Sequence, residues 1–594
     1  MRNRNVAFAF APAVVSSCFI LTLFLGGMCS VLNLTAWILY LSGIALFVFE
    51  TLHFLIGRKA RDGLFQKGNV FQAGLWVLGT VFLFCYFTAK PLFLYSYDDF
   101  SHWGIVARLL IKTDYFPMAS DSNVISFRSY PVGAAAFIYF CCECLRTSQS
   151  NVILFAQAFA VFNFYFSLFG CICTKKRTVY ALQSIACSAF VMVLTCNNVK
   201  LNYLQVDNLI SAIMTSCMLL AFCHLDRIKN RCLELGLISG ACVTVKISGM
   251  VIVFVLLFIA DRIYEEYSSR IREYEKEEFR CKILDAENTQ KRPKKEILPY
   301  ALLIGLPLAV FVAWKVHGTL TFSLHGISGG KHSGSLSALI STMGVGKERF
   351  EKLRIILPYF FSFSRNRALV PLLCIVLLPS AKLFMANDVR KALKENRETV
   401  YIAVVTTVFY LIYELSLLMM YMFSMSLGEM INQNGKDYYR YNGTVVAVVL
   451  SVLFLMMTRE SESQESEASL AWLYAGVCIL AIFYGVNFHI NRMVSFDSMM
   501  ESYPDLYLME QIMNTDTIGE DDYVLVRYHK NYGIPAAGLN YYLYPCENYT
   551  VVYDKNAYER ALQSGQYSVM IDLVNGSVQN SKGKESLDSY LSEN

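Results

Sequence analysis

The feature that most constrains this chain is a series of uninterrupted apolar stretches, each about as long as a membrane is thick. A hydrocarbon core of roughly 30 Å needs about 20 apolar residues in a helix to cross it. Because backbone groups in lipid must be hydrogen-bonded within the chain, and because the runs are continuous where barrel strands would alternate, the spans are expected to be helices. With 55% hydrophobic and 17% charged residues among 594, the sequence predicts a mainly α, polytopic helical membrane protein.

The order of the spans follows from keeping clusters of Lys and Arg in the cytoplasm. This rule predicts about 13 spans, of which the first is an uncleaved N-terminal span and the seventh and eighth form a hairpin of short helices over 234–260, bent near Lys246 and Gly249. The other spans are expected at about 6–27, 35–56, 70–89, 151–172, 179–196, 208–224, 297–316, 368–386, 399–423, 441–457 and 469–487. The expected location is therefore a membrane that the chain crosses several times.

The loops divide between the two faces. A large outer loop is predicted over about 90–150, and the apolar stretch 131–145 within it is expected not to cross, since crossing would put the basic "TKKRT" (174–178) outside. The charged segment 261–296 is expected to be a cytoplasmic helix or linker. Two further outer loops are predicted, a Gly/Ser/His-rich lid at 325–346 and the segment 424–442.

The last hundred residues differ in character. The β-branched and aromatic runs "DDYVLVRYHKNYG", "NYTVVYDK" and "YSVMIDLV", with a predicted helix in "NAYERALQS", indicate a small extracytoplasmic α/β domain over 488–594, after a membrane domain over 1–487. The 18 cysteines have neither metal-ligand nor disulfide-framework spacing and are expected to be small buried residues. Nothing in the sequence indicates nucleic-acid binding.

Several ionisable residues fall at or near the outer face in this topology. Such groups cost several kcal/mol at membrane depth unless they are paired or solvated, so their convergence on one side indicates a functional site. The residues are Asp98, Asp99, His102, Asp207, Lys246, Glu429 and Arg440.

The acids and the histidine each allow two interpretations. Asp98 can act as a general base that takes a proton from an attacking hydroxyl. Alternatively, Asp99 or Ser101 caps an amphipathic surface helix in "HWGIVARLLIK". His102, four residues after Asp98, either binds a metal or orients that acid, or is an ordinary interfacial histidine.

The two cations also allow two interpretations each, and one further acid is expected to have a structural role. Lys246 suits a lipid phosphate or Asp207 as its partner, or it snorkels to the interface. Arg440 grips a phosphate or anchors the chain at the interface among tyrosines. Glu414, within "YLIYELSLLMM", is expected to make a hydrogen bond between helices.

Five motifs, taken in order, resemble a known family. They are "YSYDDFSHWG", "SYPVG", "VDN", "GLISGACVTVKISG" and "YYRYN", and they resemble the membrane glycosyltransferases of the GT-C fold, most of all the RgtA/B/C/D-like sugar transferases and related Firmicutes membrane proteins. The resemblance covers about 70–260 and extends loosely to 460, while the tail is similar to the external C-terminal domain of those Firmicutes proteins.

The resemblance implies an inverting glycosyltransferase that moves a sugar from a polyprenyl-phosphate donor to a cell-envelope glycan or lipid. It places the base at Asp98 or Asp99, Asp207 near the site, and Lys246 and Arg440 toward the donor phosphate. With His102, Tyr130 and Glu429, these last three residues make up the predicted substrate-binding set. No cofactor is implied, and a divalent metal is left open.

Two departures and two alternatives go with this resemblance. "SYPVG" has one proline where two are common, and the acid pair is Asp-Asp instead of Asp-Glu, so which acid reacts is open. A transporter or flippase of polyprenyl-linked glycan could use the same residues to move the lipid, and an oligosaccharide ligase could transfer a whole chain.

Overall fold

The computed structural model describes residues 8–56, 67–89, 92–94, 96–123, 125–172, 177–195, 203–283, 297–327, 346–423, 425, 427–432, 436–463, 504–513, 518, 521–529, 533–544, 546, 548–580 and 583–586. Within these ranges, eight helices are long and apolar enough to cross a membrane, or nine if one bent pair counts as a single span. The chain is therefore a mainly α membrane protein with a small C-terminal sheet. The predicted number of thirteen spans stays a prediction, and the span at 469–487 and the lid segment 328–345 lie outside the described residues.

The first half of the chain forms a bundle around one apolar core. Its helices are α1 Ala11–Met28, α2 Leu32–Ile56, α3 Lys67–Thr88, α4 Gly104–Thr113, α5 Gly133–Leu145, α6 Ser150–Tyr165, α7 Arg177–Thr195, α8 Asp207–Cys223, α9 Cys232–Val245 and α10 Val251–Ile283. A π-helical turn, Asp99–Trp103, precedes α4. α6 is 94% buried in its apolar window, whereas α2 is 11% buried, so α6 is central and α2 faces the surroundings.

The second half completes the bundle. Its helices are α11 Leu306–Thr321, α12 Gly346–Phe361, α13 Leu369–Phe384, α14 Val389–Glu395, α15 Arg397–Phe423, α16 Leu427–Asn432 and α17 Lys436–Ser463. A short helix, Leu298–Tyr300, and a π-helical turn, Ala301–Gly305, lead into α11. α17 packs against α8, which brings the end of the membrane domain back to its first half.

The helix α5 is too short to span the bilayer. Its 13 residues measure about 20 Å, against a hydrocarbon core of roughly 30 Å. It is buried along most of its length and packs on α1, α4 and α6. These features agree with the prediction that residues 131–145 do not cross.

The chain reverses direction twice between α8 and α10. α8 and the segment Leu225–Val245 meet at 120°, so the chain returns along α8 to the end where α8 began. At Lys246 the backbone is extended (φ −159°, ψ 142°), which ends α9. A Cβ at Gly249 would lie 2.6 Å from the Cys242 carbonyl oxygen, so only glycine fits this return. The predicted bend is confirmed, but its second arm is not short, since α10 continues to Ile283 in the charged segment.

The tail contains a five-stranded sheet in the order β2-β1-β3-β4-β5. The strands are β1 Val524–Arg527, β2 Tyr549–Val552, β3 Val569–Asp572, β4 Ser577–Asn580 and β5 Gly583–Ser586. β1 pairs in parallel with β2 and β3, while β3–β4 and β4–β5 are antiparallel. The helices are α18 Pro504–Met513, α19 Gly533–Leu543 and α20 Lys555–Gln563. The three predicted strands and the predicted helix are confirmed; the boundary at 488 lies outside the described residues.

Candidate functional site

Two acids and two cations form a connected cluster at one end of the bundle. Lys246 Nζ lies 3.0 Å from Asp207 Oδ1, and Arg440 Nε lies 3.4 Å from Asp207 Oδ2. Arg440 also donates a 2.8 Å hydrogen bond to Asp98 Oδ2. Residues that are up to 342 positions apart in sequence therefore share one charge network.

Each member is held by the local backbone. Asp207 is the first residue of α8, where the positive end of the helix dipole stabilises a carboxylate. Lys246 occupies the extended break after α9, and Arg440 is the fifth residue of α17. Asp98 immediately precedes the π-helical turn. Because α8, α9 and α17 all begin or end here, the prediction that these charges converge on one face is supported by their contacts.

The network is only partly accessible. The side chains of Asp207 and Lys246 are 8% and 14% exposed, and those of Arg440 and Asp98 are 23% and 28% exposed. Gln205 Nε2 donates a second hydrogen bond, of 3.0 Å, to Asp98 Oδ2. Asp98 is therefore oriented by two donors and is the most exposed member of the cluster.

Asp99 lies deeper than Asp98. It is 0% exposed, and Oδ1 accepts a 3.1 Å hydrogen bond from the Leu204 backbone N–H. Among the described residues none hydrogen-bonds to Oδ2. Burial, together with the neighbouring Asp98 charge, raises the pKa of Asp99 well above its usual range, so the neutral form is favoured.

The prediction that Asp99 or Ser101 caps the following helix is wrong. Among the described residues no side chain caps the π-helical turn or α4, because the turn continues directly into α4 with helical backbone throughout. The Asp99 carboxyl instead bonds across to Leu204, at the entry to α8. The Asp99 carboxyl therefore makes a tertiary contact instead of a helix cap.

His102 is enclosed by aromatic rings. Its ring centroid lies 4.5 Å from that of Trp103, 5.3 Å from that of Phe127 and 5.4 Å from that of Tyr130. Burial, and then the positive charge of Lys246, lower the pKa of His102 to about 3, so it is neutral at ordinary pH. Within the described ranges no group of three or more His, Cys, Asp or Glu side chains is placed to hold a metal ion.

A cavity of about 250 Å³ lies beside the charge network. Asp207, Lys246 and Tyr130 line it, which brings three of the predicted residues together. The remaining polar lining comes from hydroxyls and one more lysine: Ser129, Ser248, Lys315, Tyr413, Ser416, Tyr441 and Thr444. Lys246 Nζ also lies over the rings of Tyr130 and Tyr441, 5.8 and 5.1 Å from their centroids.

Part of the cavity lining is exposed and lies on two apolar helices. Lys315 on α11 and Ser416 on α15 both line the cavity and are both exposed. The two helices carry exposed apolar side chains beside these residues, including Val316 at 51% and Leu415 at 58% exposure. Both helices belong to candidate membrane spans.

Glu414 stabilises the segment of α17 that carries Arg440. Its carboxylate accepts hydrogen bonds from Asn442 Nδ2 at 2.9 Å and from the Tyr438 hydroxyl at 3.1 Å. These residues lie two positions before and after Arg440, so Glu414 on α15 fixes the turn of α17 that carries the arginine. The predicted hydrogen bond between helices is confirmed.

One predicted site residue has a side chain that the structure does not describe, and three residues at the site were not predicted from the sequence. Glu429 lies in α16, but its side chain is outside the described part of the structure. Gln205, Lys315 and Tyr441 were not predicted. The signal for Lys315 was present, since a single lysine inside an apolar span is a recognised indication of function. Gln205 and Tyr441 gave no comparable signal.

The chain was compared with protein-family models, curated proteins and solved structures, and none of these matches it.

Proposed function

We propose that this protein is an inverting glycosyltransferase that takes a sugar from a polyprenyl-phosphate donor in the outer leaflet of a bacterial plasma membrane and transfers it to a cell-envelope glycan or lipid. The observation that carries the proposal is that the cavity lined by Lys246 and Asp207 also has exposed lining residues on two apolar helices, which we interpret as an entrance from the lipid. A soluble substrate does not require a lipid-facing entrance, whereas a long-chain lipid phosphate does.

The charge balance of the site supports a donor with one phosphate. Asp98 and Asp207 offset Lys246 and Arg440 in the network. Asp99 and His102 favour their neutral forms, because burial raises the pKa of the acid and lowers that of the histidine. Lys315 at the proposed entrance therefore adds one positive charge among the described residues. A sugar phosphodiester carries one negative charge and matches it.

The arrangement supports a single displacement. The acceptor hydroxyl would give its proton to Asp98, the more exposed acid, while its oxygen bonds to the anomeric carbon. The bond from that carbon to the phosphate oxygen breaks, and the electron pair leaves with polyprenyl phosphate. Lys246, Arg440 and Lys315 would stabilise the departing phosphate, and attack from the opposite face inverts the anomeric carbon.

Reconstitution of the purified full-length protein in proteoliposomes tests the proposal. Vesicles with radiolabelled polyprenyl-phosphate sugars and an envelope glycan fraction should transfer label to the glycan. Asp98→Asn should lower the transfer rate by about 100-fold or more, in the range for loss of a general base. Glu143→Gln is the control and should retain full transfer. Glu143 does not line the cavity, and its carboxylate lies 3.7 Å from the Arg146 guanidinium.

A flippase of polyprenyl-linked glycan is the second candidate, and the same proposed entrance from the lipid favours it. If Asp98→Asn and Asp99→Asn both leave transfer unchanged while labelled lipid still crosses the bilayer, the enzyme assignment is wrong. The mass of the glycan product distinguishes single-sugar transfer from a ligase that moves a whole chain.

A further inference from the structure

The tail domain contacts the first loop at three separate points. Arg108 Nε on α4 donates a 2.7 Å hydrogen bond to the Tyr544 carbonyl oxygen. At the start of α6, the backbone N–H and the hydroxyl of Ser150 both donate to the Glu510 carboxylate, at 3.0 and 2.7 Å. The third point is Phe100, within the π-helical turn. The tail therefore contacts the first loop near its start, in its middle and at its end.

Phe100 packs into a socket on the tail, which is formed by Leu506, Gly538, Tyr541 and Tyr542. It is 2% exposed, and its ring centroid lies 5.5 and 5.8 Å from those of Tyr541 and Tyr542 on α19. A Cβ at Gly538 would lie 3.1 Å from the Phe100 ring and 2.7 Å from a Leu506 methyl. A Cβ at Gly538 would therefore require both the Leu506 methyl and the Phe100 ring to shift.

The turn that carries Phe100 needs outside support. A π-helical turn is rare and is held here by a hydrogen bond from the Gly104 N–H to the Asp99 carbonyl oxygen. Successive side chains leave it in different directions: the Asp99 carboxyl bonds to Leu204 at the entry to α8, and the Phe100 ring enters the tail. The turn is thus clamped between the site and the tail.

We propose that Phe100 is a positioning residue, and that the tail domain, by holding its ring on Tyr541, Tyr542 and Gly538, fixes the turn that presents Asp98 and Asp99 to the site. The tail acts on the reaction through this contact and need not touch a substrate. The kinetic part of this inference rests on the proposed transferase function; the structural part does not.

Hydrogen–deuterium exchange of the full-length protein in detergent micelles tests the structural part. Phe100→Ala empties the socket, and Gly538→Ala crowds it from the tail side. Alanine favours helix over glycine, so Gly538→Ala strengthens α19 itself, and any effect comes from the clash. Both variants should raise amide exchange over residues 99–103 by about tenfold. Asn540→Ala, on the exposed face of the same helix, should leave it unchanged.

Kinetics test the consequence. Both variants should lower kcat for sugar transfer while the KM for the lipid donor stays within about twofold, because the donor cavity is not altered. Phe100→Leu, which keeps an apolar side chain in the socket, should restore most of kcat. Unchanged exchange over 99–103 in Gly538→Ala, or raised exchange with unchanged kcat, overturns the inference. If the wild-type protein transfers no sugar, the proposed function fails, and the exchange result alone decides whether the tail fixes the turn.

Discussion

The pairing of Asp207 with Lys246 has a measurable energetic consequence. At 3.0 Å and an effective dielectric constant of about 20, two unit charges attract by roughly 5.5 kcal/mol. Burying both ions offsets most of this, so the intact pair adds little net stability. Asp207→Asn leaves the Lys246 charge buried without its carboxylate, which costs about 3–5 kcal/mol. Lys246→Met should lower the free energy of unfolding by less, because Asp207 keeps its contact with Arg440.

A double-mutant cycle isolates the interaction. The purified protein is unfolded with increasing SDS in detergent micelles, and the two single variants are compared with the double variant. The double variant should lose less than the sum of the singles, with a coupling energy of about 2–3 kcal/mol. The control is the exposed pair Lys555 and Glu559, 3.7 Å apart, for which the same cycle should give under about 1 kcal/mol. Additive losses at Asp207 and Lys246 would refute the reasoning.

Three further predictions concern side chains around the network. Because the pKa of Asp99 is raised, the folded protein keeps a proton that the unfolded chain releases. The free energy of unfolding therefore falls as the pH rises from the pKa of the unfolded state toward that of the folded state. Asp99→Asn should flatten this fall in unfolding titrations between pH 4 and 8, and an unchanged slope would contradict the prediction. Glu414→Gln loosens the turn that holds Arg440 and should lower transfer about tenfold in the vesicle assay, with full activity as the contrary result. Lys315→Ala should raise the KM for the lipid donor about tenfold, whereas Lys315→Arg should not, and equal KM values in both would exclude a contact with phosphate.

The sequence predicted the arrangement of the charged residues well. The apolar runs located the helices, and the charge rule placed Asp98, Asp207, Lys246 and Arg440 at one face. Their contacts agree with this placement, since the four side chains meet at one end of the bundle. The break at Lys246 was also predictable, since a glycine and a lysine interrupt an apolar run that is too long for one span.

The details of the site were not predictable for physical reasons. Whether Asp99 caps a helix or bonds to Leu204 depends on a segment about 100 residues away, which local preference does not encode. Phe100 in the π-helical turn packs on Tyr541 of the tail, and a contact this distant in sequence is not encoded locally. That Lys315 and Ser416 line the same cavity depends on how α11 and α15 are placed in the bundle, which their local sequences do not encode.

The claim on which the whole account depends is that this end of the bundle faces the exterior. Tyr97, 50% exposed beside the acid pair, and Asn230, in the exposed basic turn between α8 and α9, lie at opposite ends. Tyr97→Cys and Asn230→Cys are made in a chain whose 18 native cysteines are replaced by serine, and intact cells are treated with a membrane-impermeant thiol reagent. We predict labelling of Tyr97→Cys alone; labelling of Asn230→Cys with protection of Tyr97→Cys would place the site in the cytoplasm and contradict the account.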